Sequence, residues 1–153
     1  MNTFHALMLT SLLAAAALIM VLGGCGGSSS ASSQGALTKS QFIKRADAIC
    51  VQSEGEQLQL MVAYAKHHPG AEEEEMVKPA GLPPLEKQLE SIKALEAPAG
   101  DEAKVAAWLD EFEAQLQKAK KNPGSVLDLE HNPFATANKM AEKYGLKGCA
   151  GAP

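Results

Sequence analysis

From Leu37 to Gly70 the chain reads LTKSQFIKRADAICVQSEGEQLQLMVAYAKHHPG, and its apolar residues recur at one period. Phe42, Ala46, Ile49, Leu60 and Tyr64, with Ser53 and Gln57 in phase between them, step by three and four. A strand alternates its faces every second residue, so only a helix gathers these positions on one side. Thr38 with Gln41 reads as a capping box, Leu37 can staple the first turn, and Pro69 and Gly70 stop the helix near His67. Gly55 lies in its middle, where glycine costs about 1 kcal/mol relative to alanine.

The same period returns downstream. AEEEEMVKPAGLPP is a polar connection in which a short helix from Ala71 to Val77 cannot pass Pro79 undisturbed. Leu85, Leu89, Ile92 and Leu95 or Glu96 predict a second helix, stopped by Pro98. A third carries Val105, Trp108, Leu109, Phe112, Leu116 and Ala119 on one stripe, with acids at its start and Lys118, Lys120 and Lys121 at its end. Asn132 as cap, Pro133 in the first turn, and Phe134, Ala137, Ala141 and Tyr144 on one face predict a fourth, ending at Gly145. The similar ends AKHHPG and AKKNPG read as shared helix-stop chemistry, not duplication. No alternating β-branched run competes, so the expectation is an all-α bundle of about four helices. Its core should be thin, with four Phe and one Trp in 153 residues.

A different chain precedes this one. All 14 Lys and Arg and all 18 Asp and Glu follow Gly27. Ala6 to Leu22, ALMLTSLLAAAALIMVL, is the apolar core of a secretion signal or a membrane-crossing helix. Small residues follow it where a stop-transfer helix would have Lys or Arg. The tetrapeptide LGGC, Leu22 to Cys25, resembles the lipobox of bacterial lipoproteins, in which the cysteine thiol is diacylglyceryl-modified and the signal is cut just before it. That resemblance implies a signal peptide at 1–24, a lipidated Cys25 with a Gly/Ser-rich tether at 25–36, and a helical domain at 37–153 on the outer face of the membrane. Two or three acyl chains anchor stably where one does not. An uncleaved anchor and secretion with an unmodified cysteine are the other readings, and all three export the domain.

Setting Cys25 aside leaves Cys50 and Cys149, an even number in an oxidising compartment. A disulfide between them would tie the first helix to the chain's end and close the bundle. Neither cysteine has the CxxC spacing of a redox pair.

Chemistry is otherwise sparse. His67, His68 and His131 have the atom types of a zinc site without ligand spacing such as HxxxH, and the expectation is no metal and no cofactor. Glu72 to Glu75 lack the alternating ligands and turn glycine of a calcium loop. No nucleophile signature appears, so a non-enzymatic role is expected. The mild acidity, a formal net charge of −4, supplies no basic excess for nucleic acid. Trp108 is the weak candidate for a ligand site if a pocket opens between helices.

The opening Phe42, Ile43, Ala46, Asp47, Ile49 and Cys50, with the ending Tyr144, Gly145, Leu146 and Cys149, resembles small uncharacterised lipoproteins and secreted proteins of actinobacteria and related Gram-positive bacteria. The resemblance implies a compact helical domain displayed outside the membrane. It carries no established activity, leaving as partners the membrane, through Cys25, and an envelope protein or small molecule.

Overall fold

A computed structural model describes residues 37–128 and 130–151. The expected signal peptide, Cys25 and the whole of the tether lie outside the described residues. The elements are α1 (Lys39–His67), α2 (Glu73–Met76), a π-helical turn (Val77–Gly81), α3 (Leu82–Lys93), α4 (Glu102–Lys121), a 3-10 turn (Pro123–Leu127) and α5 (Ala135–Tyr144). The principal helices α1, α3, α4 and α5 make an all-α bundle of four, closed by a Cys50–Cys149 disulfide.

α1 starts as its sequence dictates. The Gln41 N–H donates to Thr38 Oγ1 at 3.3 Å and the Thr38 N–H donates to Gln41 Oε1 at 3.0 Å, completing the capping box. Phe42, Ala46, Cys50 and Ser53 are buried. The far half of the stripe departs from expectation, because Leu60 is 40% exposed and Tyr64 only half-buried; Leu58 and Val62, off the stripe, are more exposed still. α3 has 12 residues against 29 in α1, so it cannot cover the longer helix.

The connection after α1 is more helical than its prolines predict. Pro79 would clash with the carbonyl four residues back in an α-helix and cannot donate. The wider π turn from Val77 to Gly81 accommodates it, and the Leu82 N–H reaches back to the Val77 carbonyl. α3 therefore begins at Leu82, with Pro83 and Pro84 in its first turn, and ends at Lys93, well short of Pro98. Two polar positions of α1 fasten this segment: Ser53 Oγ donates to the Pro84 carbonyl at 2.9 Å and Gln57 Nε2 to the Gly81 carbonyl at 2.7 Å. Their phase with the apolar stripe thus has a bonding role.

α4 buries Val105, Trp108, Leu109, Phe112, Leu116 and Ala119, the whole expected stripe. α5 begins at Ala135, later than an Asn132 cap predicts. Asn132 Oδ1 accepts from the Phe134 N–H at 2.8 Å, and this turn ahead of the helix delays its start. Gly145 ends α5 at φ 106°, a left-handed conformation that favours glycine. The two similar helix ends share a geometry: His68 (φ −127°, ψ 70°) and Asn122 (φ −133°, ψ 80°) both cap in front of a proline.

Candidate functional site

Cys50 and Cys149 are both buried, and their disulfide forms one wall of a cleft of about 310 Å³. Gln57 and Met61 of α1, Val77 and Gly81 of the π turn, and Leu85 and Gln88 of α3 continue the lining. Trp108 and Phe112 of α4 face them, and Phe134 and Asn138 come from the C-terminal elements. Phe112 and Phe134 pack with centroids 5.4 Å apart and planes tilted by 60°, a favourable offset arrangement. The π turn brings backbone and Val77 to this lining, in keeping with the frequent placement of such turns at functional sites.

Two polar groups stand out. Gln88 is 8% exposed and Trp108 is 4% exposed, and both are among the cleft's described lining residues. No described side-chain nitrogen or oxygen that is sealed from solvent lacks a partner. Trp108 borders the cleft; Gln88 lies between the cleft and a hollow of about 50 Å³ beside Ser53. Buried polar groups ordinarily find partners, and water or a ligand in the cleft can serve these two.

The cleft carries little charge. Glu54, an exposed residue, contributes its one carboxylate, and no Lys, Arg or His is among its described lining residues. The charged cluster of the domain lies elsewhere. The Tyr144 hydroxyl donates to Asp101 Oδ2 at 3.1 Å, Lys104 pairs with Asp101, and Lys39 Nζ lies 4.3 Å from the centre of the Tyr144 ring. These contacts latch the beginnings of α1 and α4 to the end of α5. The Lys104 ammonium holds the Asp101 carboxyl below its ordinary range, with the Tyr144 hydrogen bond adding to the effect. Desolvation first, and then the Asp101 carboxylate, push the Tyr144 hydroxyl up to about 12.

The expected histidines go to separate neighbours. His67 ends α1, His68 stacks on Tyr64 with centroids 4.2 Å apart, and His131 Nδ1 lies 3.1 Å from Asp128 Oδ2. No group of three His, Cys, Asp or Glu suited to a metal occurs among the described residues. Glu75 is used in its own helix start, where Oε2 accepts from the Glu72 N–H at 2.9 Å. Trp108 is the candidate that reaches the cleft. Gln88 was not singled out in the sequence, although a signal existed: it is in helical phase with Leu85 and Ile92, a polar residue on a core stripe. No protein-family model, curated protein or solved structure matches the chain.

Proposed function

We propose that the chain is an extracytoplasmic lipoprotein, held on the outer face of a bacterial cell membrane by acyl chains on Cys25, whose helical domain is a non-catalytic binding module. The observation that carries the reading is the Cys50–Cys149 bond. It uses both domain cysteines, suits an oxidising compartment, and leaves Cys25 alone in the LGGC context that resembles a lipobox. The resemblance to lipoproteins of actinobacteria belongs to the same proposal. The Gly/Ser-rich residues after Cys25 then serve as a spacer between lipid and domain.

Intact-mass measurement of the membrane-extracted protein, with and without reduction, tests this. The expected mass is that of the chain from Cys25 plus acyl groups, rising by about two hydrogens on reduction. An unmodified N-terminus removes the anchor from the proposal, and free thiols at Cys50 and Cys149 remove the oxidised domain.

What the module binds is the choice between an envelope protein and a small molecule. The cleft beside Trp108, with the polar side chains of Gln88 and Gln57 at its wall, favours a small-ligand carrier or sensor.

A further inference from the structure

We infer that the cleft takes an uncharged, ring-bearing molecule presenting an amide-like edge, one that both donates and accepts hydrogen bonds. The inference rests on the reading of the domain as a binding module and names the chemistry of its ligand.

Charge narrows the choice first. With no described cation in the lining and Glu54 at its exposed side, a phosphate or carboxylate would leave water for a site that offers it no counter-charge. A cation would find one solvated carboxylate, a weak attraction in high dielectric. A neutral ligand suffers neither penalty.

The polar inventory then sets the edge. Gln88 offers both a donor and an acceptor, and the Trp108 indole offers a donor only. Gln57 commits Nε2 to the Gly81 carbonyl, which leaves its Oε1 as a further acceptor at the same lining. A hydroxyl-free hydrocarbon would leave these groups unsatisfied, and an edge that only accepts would leave the Gln57 and Gln88 oxygens without a donor. An amide or lactam edge answers both. Phe112, Phe134, Val77 and Leu85 supply the apolar wall for a ring. The volume, about 310 Å³, lies at the lower end of ligand-pocket sizes and suits a compact molecule over a dinucleotide or a peptide. Water would satisfy the amides but would also wet the aromatic wall, which a ring would dry.

Trp108 is the only tryptophan in the chain, so its fluorescence reports on the cleft directly. The test titrates the purified full chain with benzamide, its near-isostere benzoate and the smaller toluene, probes that are respectively neutral with an amide edge, anionic, and apolar. Benzamide is expected to give a saturable change, with benzoate and toluene at least about tenfold weaker, the worth of roughly one well-made hydrogen bond. Gln88→Leu should weaken benzamide about tenfold while leaving helical circular dichroism intact and toluene binding no weaker. No saturable response to benzamide, or a response to benzoate or toluene of equal strength, overturns the inference, as does unchanged benzamide affinity in a folded Gln88→Leu chain. If that variant fails to fold, the comparison among the three probes on the unsubstituted chain decides alone. Lipidation is read separately by mass: a chain with unmodified Cys25 that prefers benzamide sinks the anchor and keeps the ligand class, and a lipidated chain indifferent to the probes does the reverse.

Discussion

The main-chain N–H of Gly148 donates to Oδ1 of Asp47 across 2.8 Å, joining the last segment of the chain to the first helix one residue before the disulfide. A Cβ at Gly148 would lie 2.9 Å from the Asp47 carbonyl oxygen and 3.1 Å from its Cβ, so the two backbones meet where only glycine fits. Asp47→Ala should lower stability by about 1 kcal/mol, since a half-buried N–H loses its carboxylate acceptor. Asp47→Asn keeps an acceptor and should lose less. Gly148→Ala must separate the backbones and should cost at least as much as Asp47→Ala. Urea unfolding followed by helical circular dichroism measures all three; an Asp47→Ala chain as stable as the parent would show that this bond contributes nothing.

The neighbouring disulfide spans 99 positions of sequence, and closing a loop of that length restricts the unfolded chain strongly. Reduction should therefore destabilise the domain by about 4 kcal/mol on the chain-entropy account. Because Cys50 and Cys149 also line the cleft, the reduced protein should show Trp108 emission shifted to the red before global unfolding. Melting and fluorescence scans with and without a thiol reductant check both parts. A loss below about 1 kcal/mol would set the loop-closure account aside for this domain.

The sequence already contains α4 almost complete, because one apolar stripe, acids at its start and lysines at its end all agree. α1 was legible in its extent but only half legible in its burial. Periodicity names the face that can be covered, whereas the length of the partner decides how much is, and α3 is too short to reach Leu60. The region from Val77 to Pro84 was the least legible. Proline rules argue against an α-helix there, and a π turn satisfies the same steric facts while burying Val77, Ala80 and Leu82. The cleft shares that difficulty. Trp108 could be named from its stripe, but its neighbours Gln57, Gln88 and Asn138 come from different helices whose juxtaposition no single-helix period encodes.

Gly55 lies within α1, and a Cβ built there meets nothing within 4 Å. The helix runs through it at an entropic disadvantage, with no turn or close approach in return. Gly55→Ala should raise stability by about 0.5 to 1 kcal/mol and the melting temperature by a few degrees. Chemical and thermal unfolding would show it, and a destabilised variant would mean that the exposed face around Val51 and Leu58 packs against something in the intact protein.

The Tyr144–Asp101 latch should make stability sensitive to pH at both ends of the scale. Tyr144 is held protonated up to about 12 in the fold, against about 10 when free, so its contribution is fully present below pH 10 and is lost as pH rises toward 12. Asp101 works in the opposite sense. Its folded pKa is lowered, so its contribution is present above the ordinary carboxylate range and is lost as pH falls through the lowered value. Absorbance at alkaline pH should resolve a late phenolate transition near 12 that disappears in Tyr144→Phe. The same variant should remove the fall in melting temperature between pH 10 and 12 that Tyr144 causes, while Asp101→Asn should flatten the acid side. Lys39 and Lys104 remain beside Asp101 in Tyr144→Phe, so that variant should retain most of the acid-side loss. A Tyr144→Phe chain with the parent's alkaline titration would assign the late phenolate elsewhere and dissolve the latch as a source of pH dependence.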